Sequence, residues 1–175
     1  MDNKHHQEIN VLDKENEILS LFKDYSPKSF CKEDEGFDWL EEEDSKCILF
    51  INPFCDNDIE INIGDRGEFT LFFGNNHEHY CAYQDDYENL LEQIKRILIN
   101  ELCGAVLKDS VDKWFGSCFC EKNEVDKELS QIFDFCFKVK EFSDHLIKTG
   151  YSVCFTFWNP TDNKTIAIEP THCNN

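Results

Sequence analysis

The 175-residue sequence is poor in positive charge, and above all in arginine. It contains 17 lysines and arginines against 36 aspartates and glutamates, a formal net charge of −19 at pH 7, and its only arginines are Arg66 and Arg96. Affinity for nucleic acid and for anionic membranes comes from Lys and Arg side chains that neutralise phosphates, so neither is expected as a partner. The acidic surplus favours a basic protein partner steered in by long-range attraction, or it serves solubility alone.

Long apolar runs are missing as well. No run approaches the ~20 residues that a helix needs to cross a bilayer. The first 20 residues have neither the basic nor the apolar region of a secretory signal. We therefore expect a cytoplasmic protein that does not enter a membrane.

The motifs of common enzyme sites are absent too. Ten cysteines include no C-x-x-C pair, and the seven glycines are too scattered for a phosphate-binding loop. In a reducing compartment the thiols stay free and behave as small apolar side chains. No G-x-S-x-G motif occurs, and the carboxylates are too numerous for one acid–base pair to stand out. We predict no catalytic residues and no cofactor, and a binding protein rather than an enzyme.

What is present is a clear strand pattern in the middle of the chain. Ile59, Ile61 and Ile63 face one way, and the polar residues between them face the other. Turns at residues 64–67 and 74–76 would join this strand to its neighbours. Three or four antiparallel strands connected in this way would form a meander.

The clearest helix follows this meander. Asp85 is predicted as its N-cap and Gly104 as its C-terminal glycine. Its apolar face would consist of Tyr87, Leu90, Leu91, Ile94, Leu98 and Leu102. A one-sided helix of this kind has to cover an apolar surface, and a sheet is the obvious one.

The predicted fold class is α+β, with a mainly antiparallel β-sheet and one or more helices packed on a face. A further helix is predicted at residues 6–25, and late strands at 133–142 and 151–158. The length suits a single globular domain over residues 1–175. Its N-terminal helix and acidic segment would occupy residues 1–45, and its sheet and central helix residues 46–175.

One candidate functional region is the acidic segment, residues 31–44. It contains eight carboxylates and one lysine around three apolar residues, Phe37, Trp39 and Leu40. A negative patch with an aromatic anchor suits the capture of a basic protein surface, whereas the alternative is a solvated helix or loop held by Trp39 and Leu40. The candidate partner-binding residues in this segment are Glu33, Asp34, Glu35, Trp39, Glu41, Glu42 and Glu43.

A second candidate region is the sequence HEHYC. In an extended strand His77, His79 and Cys81 would share one face, with the two histidines about 6–7 Å apart at Cα. Two imidazoles and a thiolate are plausible metal ligands, and further ligands could come from His145 or His172. A metal-binding domain or metal-dependent enzyme is therefore the alternative function. A solvated strand face or a partner-binding surface is the other interpretation of the same residues.

Three stretches together resemble immunity proteins of bacterial polymorphic toxin systems. They are a hairpin that ends in His77-x-His79-Tyr80, the helix sequence YENLLEQIKRILINEL and the late strand FCFKVKEFSDH. The resemblance covers residues 67–145. It departs from the family pattern at Asn76, where an aromatic residue is expected, and at Lys140, where arginine is expected.

The resemblance implies a small acidic cytoplasmic protein that binds a cognate toxin domain and blocks it. The resemblance implies His77, His79 and Tyr80 as candidate partner-binding residues. The leading hypothesis is therefore an inhibitor of a toxin such as a basic nuclease, whose positive groove the acidic side chains would occlude. The sequence does not define the oligomeric state.

Overall fold

The computed structural model of the protein describes residues 7–125 and 148–170. The chain divides into two compact units, Met1–Phe73 with His77–Lys95, and Gly74–Asn76 with Arg96–Asn175. The described strands form one sheet of five strands and one of four. The α+β class is confirmed, because both sheets are mainly antiparallel and α-helices accompany them in the described part of the chain. The fold-class prediction names one sheet, whereas the described strands form two, and the prediction of a single domain stays a prediction.

The five-stranded sheet is a meander in sequence order. Its strands are β1 (Lys28–Cys31), β2 (Lys46–Phe50), β3 (Ile59–Ile63), β4 (Phe69–Phe73) and β5 (Asn76–Tyr80). The predicted alternation is confirmed, because one face consists of fully buried apolar side chains. They include Ile48, Phe50, Ile59, Ile61, Ile63, Phe69 and Leu71. Burial of each contributes about 2 kcal/mol, and this face holds the sheet to its core.

Two tight turns set the register of the central strands. The turn between β3 and β4 has positive φ at Gly64, Arg66 and Gly67. The turn between β4 and β5 consists of Gly74 and Asn75, both with φ of +60°. Positive φ at both central residues is typical of the type I′ hairpin turn, whose twist matches that of its strands. Asn76, predicted as part of this turn, is the first residue of β5.

The first helix, α1 (Glu15–Leu21), lies between two short 3₁₀ turns, Val11–Lys14 and Lys23–Tyr25. These elements replace the single helix predicted over residues 6–25. Asn10 caps the first turn by accepting a hydrogen bond from the Leu12 amide. Ile18 is the fully buried residue of α1.

The second helix, α2 (Gln84–Leu98), is the predicted central helix, but its ends differ. Asp85 lies within its first turn rather than at the N-cap. Its C-terminus is closed by Asn100, whose φ is +67°, through hydrogen bonds from Glu101 N to Arg96 O and from Asn100 N to Ile97 O. This pattern is a Schellman motif, and asparagine is one of the few residues other than glycine that tolerates its left-handed position. Leu102 and Gly104 consequently belong to the next strand.

The second sheet contains β6 (Leu102–Asp109), β7 (Trp114–Glu121), β8 (Tyr151–Thr156) and β9 (Lys164–Ile168). Their order is β7-β6-β8-β9, with antiparallel pairing throughout. The prediction that residues 151–158 form a strand is confirmed for Tyr151–Thr156. The buried core of this sheet consists of Cys103, Ala105, Leu107, Cys120, Val125, Tyr151, Val153, Phe155 and Phe157.

Several predictions concern residues outside the described ranges. They are the strand at 133–142, the resemblance position Lys140, and the possible ligands His145 and His172. Over residues 7–125 and 148–170, no helix is long and apolar enough to cross a membrane.

Candidate functional site

The second face of the five-stranded sheet, hereafter the polar face, carries the candidate site. One row of side chains runs across all five strands, in the order Phe30, Cys47, Asn62, Thr70 and His79. Pairing of Cα positions joins the first four, and Thr70 Oγ1 lies 3.1 Å from His79 Nδ1. The parallel row places Phe72 beside His77, with ring centroids 5.7 Å apart. The two histidines therefore share a face, as predicted.

A cavity of about 240 Å³ opens on this face. It is lined by Trp39, Glu41, Asn62, Asp65, Arg66, Glu68, Thr70, Phe72 and His79. Three carboxylates and one guanidinium give the lining an excess of negative charge. The cavity joins the two candidate regions of the sequence, because Trp39 and Glu41 belong to the acidic segment and His79 to β5.

Asp65 organises one side of the cavity. Its carboxylate accepts hydrogen bonds from the side chains of Ser45 and Asn62, the latter at 2.6 Å, and from the amide of Glu42 at 3.2 Å. Partial burial alone would raise the pKa of Asp65, but these hydrogen bonds to the charged form outweigh it and lower the pKa. Asp65 is therefore an ionised anchor that ties the acidic segment to the sheet.

His79 is oriented by a carboxylate. Its Nδ1 lies 2.7 Å from Glu68 Oε1 and 3.1 Å from Thr70 Oγ1. Because an ionised carboxylate only accepts hydrogen bonds, these partners assign a proton to Nδ1. The imidazole is then held in one orientation, with Nε2 left as the other ring nitrogen.

Arg66 is the cation of the cavity, and its charge is already engaged. Its guanidinium contacts both oxygens of Glu41, at 3.4 Å from Nε and 3.3 Å from Nη2. Both side chains are mostly exposed, so this ion pair contributes little to stability, about 0.5 kcal/mol. Its role is to orient Glu41 at the edge of the cavity.

Asn62 provides the least satisfied polar group of the site. Asn62 is only 7% exposed, and its Nδ2 donates a hydrogen bond to the Asp65 carboxylate. The buried Oδ1 has no hydrogen-bond partner within the described parts of the chain. An unsatisfied buried acceptor costs about 1–3 kcal/mol.

The acidic segment is a loop of successive turns between β1 and β2, not a helix. Leu40, only 1% exposed, anchors it, and the Phe37 ring stacks on Phe30 of β1 with centroids 4.3 Å apart. All eight carboxylates of the segment are exposed. The loop predicted as one alternative is thus observed, and it presents its charges to solvent.

The predicted site residues divide into three groups. Trp39, 44% exposed, lines the cavity with Glu41, and Glu42 accepts a hydrogen bond from the Arg66 amide. Outside the cavity lining, Glu33 and Asp34 hydrogen-bond to Cys31, which lowers the pKa of both carboxyls. The remaining members, Glu35 and Glu43, are exposed and have no polar contact in the described regions.

Tyr80 does not fit a partner-binding role in this structure. It is 5% exposed, and its hydroxyl donates to Glu78 at 3.2 Å. Burial raises the pKa of Tyr80. Strand alternation places it on the opposite side of β5 from His77 and His79, so it is a structural residue of the sheet.

Among the described residues, the metal hypothesis lacks a third ligand. β5 ends at Tyr80, so the alternation expected to align Cys81 with the histidines does not reach it. The rings of His77 and His79 are 5.3 Å apart, edge to face. Within residues 7–125 and 148–170, no group of three or more His, Cys, Asp or Glu side chains is arranged to hold a metal ion. Metal binding stays an untested hypothesis.

Sequence reasoning missed most of the cavity. Asn62, Thr70 and Glu68 are ordinary polar residues of strands and turns, and nothing in their spacing marks them. The available signal was the combination of two short turns with strand alternation. Together they place Asn62, Thr70 and His79 on one face once the hairpin registers are known.

Charge is distributed unequally between the two units. By sequence, the segments of the first unit carry 24 acidic and 8 basic residues, and those of the second carry 12 and 9. The net charges are −16 and −3, within the total of −19. The acidic surplus is thus concentrated in the unit that contains the cavity.

Comparisons with known proteins find no match, neither a protein-family model nor a curated protein nor a solved structure.

Proposed function

We propose that the chain is an acidic cytoplasmic binding protein that captures a basic partner protein and neutralises it by covering its functional surface. The partner is a cognate toxin domain, as in the immunity proteins of bacterial polymorphic toxin systems. The observation that carries this proposal is the convergence of Trp39 and Glu41 with His79 around one cavity. An aromatic anchor within a field of exposed carboxylates is suited to a basic protein surface.

The mechanism is occlusion. The carboxylates of the acidic segment occupy the positive groove in which a nuclease holds nucleic-acid phosphates, and Trp39 provides the apolar contact at the centre. Net charge of −16 on one unit steers a basic partner toward it before contact. His77 and His79 belong to the contact surface.

The proposal also assigns opposite roles to the two faces of the five-stranded sheet. Helix α2 covers the apolar face, supported by the stacking of Tyr87 on Phe69 with ring centroids 5.5 Å apart. The polar face is left for the partner. In this arrangement the helix serves the core, and the acidic segment serves recognition.

Growth rescue tests this function. The C-terminal domain of the protein encoded immediately upstream is induced in a test bacterium with and without this chain. Toxicity that is abolished only when the chain is present supports the proposal and identifies the partner. A toxic neighbour that kills equally well in the presence of the chain contradicts it.

A further inference from the structure

The cavity on the polar face has the size and the polarity of a receptor for one cationic side chain. At about 240 Å³ it lies below the roughly 300–1,000 Å³ of pockets that enclose a small-molecule ligand. Its lining has three carboxylates against one guanidinium, and the indole of Trp39 is available for a cation–π contact. Asn62 belongs to the lining, and its side-chain oxygen Oδ1 has no hydrogen-bond partner in the described residues. We propose that the cavity binds a lysine side chain of the partner protein, an inference that rests on the proposed function.

The acceptors around the cavity favour an ammonium over a guanidinium. Recognition of arginine by a carboxylate requires two free oxygens on one group, to match the planar fork of donors. Both oxygens of Glu41 already contact Arg66, and both oxygens of Asp65 accept hydrogen bonds from Asn62, Ser45 and a backbone amide. One oxygen of Glu68 is occupied by His79.

Separate single acceptors remain instead. They are the second carboxylate oxygen of Glu68 and the second lone pair of Thr70 Oγ1, whose other contact is His79 Nδ1. Beside them lies the unpartnered Oδ1 of Asn62. Asn62 and Thr70 are directly opposed on β3 and β4, and Thr70 and Glu68 both contact His79 Nδ1. An ammonium group has three donors on one nitrogen and can direct them to three different groups. Its aliphatic stem would lie along Trp39 and Phe72.

The test is an NMR titration of the full-length ¹⁵N-labelled protein with N-acetyl-lysine methylamide. We expect saturable shifts of the Trp39 indole N–H and the Asn62 side-chain amide. The indole N–H of Trp114, an exposed tryptophan of the second unit, is the internal control and should not move. Shifts of equal size at both indoles, or no saturable shift at Trp39 and Asn62, would overturn the inference.

Two analogues determine which chemistry is recognised. The Nε-acetylated lysine compound keeps the stem and removes the charge, and it should not bind. N-acetyl-arginine methylamide keeps the charge and changes the donor geometry, and it should bind about tenfold more weakly. An arginine compound that binds as tightly as lysine or more tightly would contradict the assignment.

Substitutions in the cavity distinguish a failure of the lysine-binding inference from a failure of the proposed function. Glu68→Gln and Thr70→Val should each weaken lysine binding about fivefold, whereas Glu92→Gln on the exposed surface of α2 should leave it unchanged. If the lysine compound fails to bind while the wild-type chain still rescues growth, the cavity assignment falls and the proposed function stands. If lysine binding follows the variants but no toxin is neutralised, the cavity assignment stands and the proposed function falls.

Discussion

The two units of the molecule are both built on antiparallel sheets, but they use their charges differently. In the second unit three of the six described basic residues form ion pairs within the unit, Arg96 with Glu121, Lys122 with Asp162 and Lys108 with Asp112. Its segments have a net charge of −3. In the first unit the net charge is −16, and the acidic segment exposes eight carboxylates around a half-exposed tryptophan. The charges of the second unit therefore nearly balance, whereas the first unit carries most of the acidic surplus of the chain.

Substitution of a buried leucine in each unit should give the largest loss of stability. The pair of variants also compares how the two units are anchored. Leu40 holds the acidic segment, and Leu107 lies in the core of the second sheet; they are 1% and 2% exposed. Replacement of either by alanine should lower the free energy of unfolding by about 3 kcal/mol in urea titrations. Only Leu40→Ala should accelerate amide hydrogen exchange in residues 32–44. Unchanged exchange there would show that Leu40 is not the anchor.

Asp65→Asn tests the link between the acidic segment and the sheet. Loss of a carboxylate that accepts three hydrogen bonds should lower the free energy of unfolding at pH 7 by about 2 kcal/mol.

The pH dependence of this effect has a definite sign. The pKa of Asp65 is lowered in the folded state from an ordinary value of 3.8, so its stabilisation is present above pH 3.8 and is lost as the pH falls below it. The difference between wild type and Asp65→Asn should therefore shrink in acid, and a constant difference from pH 7 down to full acid unfolding would contradict it.

Matched triple variants compare the exposed carboxylates of the two units directly. One combines Glu35→Gln, Asp38→Asn and Glu43→Gln in the acidic segment. The other combines Glu101→Gln, Asp112→Asn and Glu169→Gln in the second unit. The first should weaken binding of the cognate toxin domain about tenfold in calorimetric titrations, and the second should change Kd less than twofold. Equal losses would show that net charge, and not its location, determines binding.

Glu60→Gln is expected to have the smallest effect, and in the opposite direction. Burial, with the nearby charge of Asp58, raises the pKa of Glu60 above its ordinary 4.5. Its ionised form is therefore disfavoured in the fold, and this destabilisation appears as the pH rises from 4.5 through the folded-state pKa. At pH 7 the substitution should raise the free energy of unfolding by about 0.5 kcal/mol, and a loss of stability would contradict this account.

The part of the fold that was predictable from the sequence is the part that local patterns determine. Alternation of Ile59, Ile61 and Ile63 defines β3, and the one-sided apolar pattern defines α2. The strand β1 was missed because Lys28–Cys31 is only four residues long and does not alternate clearly. The division into two sheets was missed because it depends on distant pairing, such as that of Val106 in β6 with Cys154 in β8.

The candidate site was predictable only in outline. The sequence identified Trp39 and Glu41 as one candidate region and His79 as another, since local charge and motif patterns mark them. That they meet around one cavity depends on the register of β3, β4 and β5 and on the fold of the loop that Leu40 anchors. Neither is a local property of the sequence.

The most direct test of the central claim is the ionic-strength dependence of association with the cognate toxin domain, measured by stopped flow. If the acidic unit captures a basic surface, the association rate constant should fall steeply between about 0.05 and about 0.5 M salt, because screening shortens the range of the attraction. The dissociation rate should change much less. An association rate that is the same across this range would contradict electrostatic capture by the first unit.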